Sequence, residues 1–144
     1  MSKKFTHLTT TLFACSAILI AGVAPVRAAV DFESEIKPII ESACLRCHHE
    51  QNAEGDLRLD SLKGAIAGGA NGPSIVPRDA EKSSFYSRLV LPEDHLEIMP
   101  PDGPPLDEAQ VARLRTWIAE GAKWPADAKL EVQPRIDFVE HVQP

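Results

Sequence analysis

The sequence predicts an all-α domain of about four helices joined by long loops rich in proline and glycine. Three observations lead there. Apolar residues recur at a helical period in separate segments that open on a capping side chain. No stretch alternates β-branched and aromatic residues, and no strand–helix–strand rhythm of a parallel sheet appears. Residues 91–106, "LPEDHLEIMPPDGPPL", hold five prolines and one glycine, which forbids regular structure there.

The first 28 residues are expected to lie outside the mature domain. Lys3 and Lys4 give a basic start, "LFACSAILIAGVAPV" is uncharged and apolar, and "VRA" offers small residues at Val26 and Ala28. That order describes a secretory signal cut after Ala28. The run is shorter than the roughly 20 apolar residues of a membrane-spanning helix, a retained anchor being the alternative. Cys15 raises lipid attachment, but most of the apolar run follows it rather than precedes it. Cleavage removes Lys3, Lys4 and Arg27 and no acid, so the formal charge moves from −6 to −9 over the remaining 116 residues. So acidic a chain is a poor nucleic-acid binder, and it suits a redox partner with a basic docking surface. After signal removal no stable membrane insertion is expected, and the chain is placed in the periplasm or another extracytoplasmic space.

"VDFESEIKPIIESAC" predicts the first helix, with Asp31 as cap, Glu33 and Glu35 near the positive end of the dipole, and Phe32, Ile36, Ile39, Ile40 and Ala43 on the apolar face. Pro38 predicts a kink or restart, because it lacks an N–H and crowds the turn before it. "DSLKGAIAGG" predicts a short second helix, capped by Asp60 and stopped at Gly68–Gly69. "DAEKSSFYSRLV" predicts a third, capped by Asp79, with Phe85, Leu89 and Tyr86 turned inward. The last helix is the clearest. Asp107 and Gln110 are spaced as a capping box, Leu106 and Val111 as its staple, and Val111, Leu114, Trp117 and Ile118 make one apolar face before Gly121 ends it.

The domain is expected to span 29–125, with 126–144 as a linker. "IDFVEHVQP" at 136–144 aligns without gaps to "VDFESEIKP" at 30–38, sharing Asp-Phe and the closing Pro. Self-similarity at a fixed offset is the signature of a repeat, so 136–144 reads as the start of a second, truncated copy.

The chemistry concentrates in "ESACLRCHHE", residues 41–50, where Cys44 and Cys47 stand three apart and His48 follows. A structural zinc site needs four Cys or His ligands. Without Cys15 the chain has only this pair, and His48, His49, His95 and His141 lack finger-like spacing. A redox dithiol of the C-x-x-C kind belongs at a helix start in a strand–helix–strand setting, which is missing here. Covalent haem attachment uses all three positions: two thiols add to the two vinyl groups of one macrocycle, and the adjacent histidine supplies a nitrogen ligand to the iron. Export agrees, because haem is attached on the exported side. For the sixth iron position the candidates are Met99, the one methionine after the signal, in "EIMPPDG", and His95 four residues earlier. His49 is too close to His48 to reach the opposite face. Phe85, Tyr86 and Trp117 are candidates for the haem edge, and core packing is the plainer reading of each.

Taken in order, "IKPIIESACLRCHH", "GDLRLDSLKGAIAGG", "SIVP", "SSFYSRL", "IMPPDGPPL" and "LRTWIAEGAKWP" resemble the planctomycete-type c-type cytochrome domain, a single-haem relative of class I cytochromes c, over about Asp31 to Trp124. The resemblance implies a small class I-like fold around one covalently bound haem c, with Cys44 and Cys47 as attachment points, His48 as proximal and Met99 as distal iron ligand. It implies that the first and last helices pack across each other, and that the domain sits beside others in large exported proteins. Arg78 departs from it, standing where the family tends to have glycine, and leaves the local turn open. The function implied is single-electron transfer, not enzymatic catalysis, although the domain can belong to a larger redox enzyme. The alternatives are a haem-based sensor or peroxidase-like site with an open or displaceable sixth ligand, and a haem-stabilised module of a larger exported assembly.

Overall fold

The computed structural model describes residues 28–133. The expected signal and the candidate repeat at 136–144, with Cys15 and His141, lie outside the described residues. At the N-terminal side, Asp31 caps a π-helical turn, Phe32–Ile36, through its carboxylate to the Ser34 N–H at 2.9 Å. The turn runs straight into α1, Lys37–Ala43. The Lys37 N–H closes the wide turn onto the Phe32 carbonyl. Pro38 thereby falls in the first turn of α1, where its missing N–H leaves no bond unmade. The proline restarts the helix.

After α1 the chain does something the sequence pattern does not announce. Strands β1, His48–His49, and β2, Asn52–Ala53, pair antiparallel, with His48 opposite Ala53 and His49 opposite Asn52. A 3-10 turn, Glu54–Asp56, follows. The all-α expectation is therefore corrected: only 35% of the structure is helical and it contains a two-stranded sheet, so the fold is mixed. "HHEQNA" has no β-branched or aromatic alternation. The chain reverses at Glu50–Gln51 between the strands, and the Glu54 N–H donating to the Cys47 carbonyl at 3.0 Å continues the ladder by one rung.

Helix α2 is Leu62–Ala67, and its cap is Ser61, not Asp60: the Ser61 hydroxyl accepts the Gly64 N–H at 3.2 Å. Asp60 is drawn elsewhere, to Arg58 at 3.0 Å and to the Glu50 N–H at 2.7 Å. Burial pushes its carboxyl up, but the guanidinium and the amide outweigh that and hold it below the usual range. Helix α3 is a single turn, Ser84–Ser87, where a longer helix was expected. Asp79 spends its cap on the Lys82 N–H, and the fully buried Ser83 hydroxyl accepts the Val76 N–H and donates to the Asp79 carbonyl, so the preceding residues form a hydrogen-bonded turn instead. Residues 91–106 form neither helix nor strand.

Helix α4, Glu108–Ala119, opens on the complete capping box, with Asp107 accepting the Gln110 N–H at 2.7 Å and Gln110 accepting the Asp107 N–H at 3.0 Å. It closes on Gly121 at φ +109°, with Gly121 N–H to Ile118 O and Ala122 N–H to Trp117 O both at 2.9 Å, a Schellman ending. Arg78 takes the left-handed conformation glycine favours, φ +69°, and its N–H also reaches the Ile118 carbonyl, at 2.8 Å. That bond ties the turn to the end of α4, where the Ile118 carbonyl also accepts the Gly121 N–H.

The core forms where the π-helical turn packs on α4. Ile36, Ile40, Leu45, Leu114 and Ile118 are fully buried around Trp117. Phe32 lies 4.6 Å from Trp124 and 6.0 Å from Trp117, centroid to centroid, and the Trp117 indole N–H donates to the Lys123 carbonyl at 2.9 Å. The Glu35–Arg113 ion pair and the Val30 N–H on Glu120 tie the same two segments at the surface. This pairing forms a base, and the loops from Cys44 to Gly103 build on it. No helix of the described residues is long and apolar enough to cross a membrane.

Candidate haem site

The motif carries its own geometry. The Cys44 carbonyl accepts both the Cys47 N–H at 3.2 Å and the His48 N–H at 3.1 Å, while the Cys44 N–H still bonds back to Ile40 O at 2.9 Å. The segment is thus one more turn wound onto the end of α1. Positions i, i+3 and i+4 of such a turn share a face, so Cys44, Cys47 and His48 point to one side. Leu45, on another side, is fully buried and anchors the turn in the core. Arg46 is left exposed.

That shared face forms one wall of a cavity of about 240 Å³. Leu57, Leu59, Phe85 and Leu89 supply apolar walls, and the Met99–Pro100–Pro101 segment closes another side. Cys44, Cys47, His48 and Met99, distant by up to 55 positions in the chain, therefore line one space. His95 does not; it is exposed, and its Nδ1 accepts the Glu97 N–H at 3.1 Å. His49 is half-buried, with Nδ1 paired to Gln51. Of the aromatic candidates, Phe85 lines the cavity, Trp117 belongs to the core, and Tyr86 lies under the Arg115 guanidinium, 6.0 Å from its ring centre.

Two observations test whether a haem suits these walls. Among the described residues His48 Nδ1 is buried with no hydrogen-bond partner. Such a group costs about 1–3 kcal/mol, and an imidazole held at that cost beside two thiols and a thioether fits a ring kept for a group the chain does not itself provide. The Cys44 residue is half-buried, and desolvation, then the neighbouring Cys47, pushes its thiol up to about 12. A thiol pushed in that direction is a weaker disulfide-exchange nucleophile, which counts against the redox-dithiol reading without carrying the case alone. Among the described residues no three His, Cys, Asp or Glu side chains converge as a metal cluster. The residues fit haem.

Several supporting residues escaped the sequence reading. The Leu59 N–H donates to the His48 carbonyl at 2.8 Å, and the Arg58–Asp60 pair grips the Glu50 amide beyond it, so residues 58–60 brace the strand that carries His48. Gly68 and Gly69, expected only as a helix stop, are contact points. A Cβ on Gly69 would stand 2.4 Å from the Gly55 carbonyl oxygen, and one on Gly68 would stand 2.0 Å from that of Gly72. The doubled glycine was their visible signal, read as an ending rather than as a close approach. Arg46 and Arg88 also line the cavity, and nothing in their spacing marked them.

No curated protein and no solved structure matches the chain significantly. A family model described as Planctomycete cytochrome C matches residues 44–103, a narrower span than the resemblance drawn from Asp31 to Trp124. It begins at the first cysteine of the motif and ends just past the Met99 loop, leaving α4 and the helix before Cys44 outside. The segment that walls the cavity is thus the part of the chain that is similar to the planctomycete cytochrome c family, which agrees with a haem-binding cytochrome domain.

Proposed function

We propose that this chain is an exported, single-haem c-type cytochrome that carries one electron at a time. Bound haem supplies the ferric–ferrous couple. The chain's residues do the rest. Cys44 and Cys47 would hold the macrocycle by thioether bonds, and His48 and Met99 would be the residues that ligate its iron. Leu57, Leu59, Phe85 and Leu89 exclude water from the ring. A protein ligand on each side of the iron favours electron transfer over gas binding or oxygen chemistry, and a thioether on one side raises the potential relative to two histidines. The observation that carries this reading is the convergence of both thiols, His48 and Met99 on one cavity, with His95 outside its lining.

The test is the intact mass and visible spectrum of the protein expressed with export and haem-attachment machinery. The expected result is a coloured protein, shortened by the signal and heavier by one haem that survives denaturation. A colourless chain at its bare peptide mass overturns the reading.

The same proposal places the protein outside the cytoplasmic membrane and gives it a redox partner with a basic docking surface, supported by the formal charge of −9 after loss of the first 28 residues. Electron exchange with such a partner is expected to slow several-fold between about 0.01 and 0.15 M salt, as the Debye length falls from about 30 to about 8 Å. A rate indifferent to ionic strength removes the basic partner.

A further inference from the structure

The loop that carries Met99 has few attachments. Among the described residues, three hydrogen bonds run from residues 91–105 to the rest of the protein. The Met99 N–H donates to the Arg88 carbonyl at 3.0 Å, the Arg88 guanidinium donates to Glu97 at 3.1 Å, and the Arg46 guanidinium donates to the Asp102 carbonyl at 3.2 Å. The other bonds of this stretch are local, such as His95 N–H to Pro92 O and Ile98 N–H to His95 O. All three attachments belong to two arginines, and both of these line the cavity. Arg46 stands between the two cysteines of the motif, so its side chain joins the wall that bears Cys44, Cys47 and His48 to the one that bears Met99. Arg88 ends α3 and grips the loop on the near side of Met99; Arg46 grips it on the far side.

We propose that Arg46 and Arg88 are positioning residues, a two-point clasp that holds Met99 over the cavity and thereby sets how readily an outside ligand reaches the iron. The proposal rests on the reading of Met99 as iron ligand and deepens it. Bonds from a charged donor are stronger than neutral ones, and planar guanidinium forks hold a geometry that a single ammonium does not. Both pairs are partly exposed, so each contributes modestly and the two act together. The backbone bond from Met99 to Arg88 orients the loop, and the side-chain bonds on either side of Met99 limit its swing.

The test uses the full holo-protein and the variants Arg46→Met, Arg88→Met and the pair, with Glu97→Gln as a milder cut that leaves both arginines in place. Imidazole serves as the outside ligand, the sulfur-to-iron absorption band of the ferric protein reports Met99, and amide hydrogen exchange reports the loop without reference to iron. Each single variant is expected to bind imidazole about 3- to 10-fold more tightly and the pair more so, each lost contact having the weight of a partly exposed charged bond. The band should weaken and exchange at Met99 should quicken, while α4 amides stay protected. Arg46→Lys keeps a donor for Asp102 and is expected to fall between the wild type and Arg46→Met. Unchanged loop exchange and unchanged imidazole affinity in the paired variant overturn the clasp. A wild type that lacks the band and binds imidazole as tightly as Met99→Ala, with loop exchange still faster in the variants, instead upholds the clasp and overturns Met99 as ligand.

Discussion

Replacing Cys44 and Cys47 together with alanine is expected to give a colourless chain with weakened tertiary structure. The reason lies in how the described residues divide. One part, the π-helical turn and α1 against α4, has a dense core around Trp117. The other, from Cys44 to Gly103, is mostly turns, a hairpin of two-residue strands and a proline-rich loop, and its half-buried Leu57 and Leu89 face the cavity while Leu59 and Phe85 join that core as well as lining it. Under the proposed attachment, a chain without these thiols would leave those walls without a shared partner. At about 24 cal/mol per Å³, an unfilled space of about 240 Å³ carries a penalty of at most about 6 kcal/mol, an upper bound because water enters a cavity open on one side. That rivals the entire 5–15 kcal/mol of an ordinary domain. Thermal unfolding followed by near-ultraviolet circular dichroism is the measurement. A melt indistinguishable from that of the haem-loaded protein would show that the walls support themselves, and the structural role assigned to the anchor would be wrong.

The legible parts of the molecule are those where a local rule and the tertiary context agree. The capping box at Asp107 and Gln110, the glycine ending at Gly121 and the restart at Pro38 depend on neighbours a few residues away, and all three take the predicted form. The C-x-x-C-H spacing places its three side chains on one face for the same local reason. Where reading failed, a distant partner had outbid the near one. Asp60 is a good cap in isolation, yet Arg58 and the Glu50 amide claim it and Ser61 replaces it. Ser83 stops α3 from reaching back to Asp79 because its hydroxyl is committed to Val76. The hairpin at His48–His49 has no signature in its residues, since neither strand carries a β-branched or aromatic alternation. Arg46 and Arg88 were invisible for a related reason. An arginine's value depends on which carbonyl or carboxylate lies within reach of a long side chain, and spacing along the chain does not report that.

Changing Met99 to alanine is expected to leave the haem attached and the fold intact while altering the site's chemistry more than any other single substitution outside the C-x-x-C-H motif. Met99 is half-buried, so loss of its side chain costs less than truncation in the core around Trp117, and its backbone bond to Arg88 does not depend on the thioether. The consequence falls on the iron instead. Axial ligands set haem potentials over about 0.8 V, so exchanging a thioether for water or an outside ligand is expected to lower the potential by roughly 0.1–0.3 V. The sulfur-to-iron band of the oxidised protein should vanish, and small ligands such as imidazole should bind where they are otherwise resisted. His95 supplies the control. It is exposed and its Nδ1 is engaged by the Glu97 amide, so His95→Ala is expected to change neither band nor potential. Were His95→Ala to shift the potential and Met99→Ala to leave it untouched, the sixth ligand would be the histidine, and the loop would have to swing its exposed ring inward by rearranging around Glu97. Were both variants silent, the sixth position would be open, and the protein would belong with haem sites that bind ligands instead of those that only pass electrons.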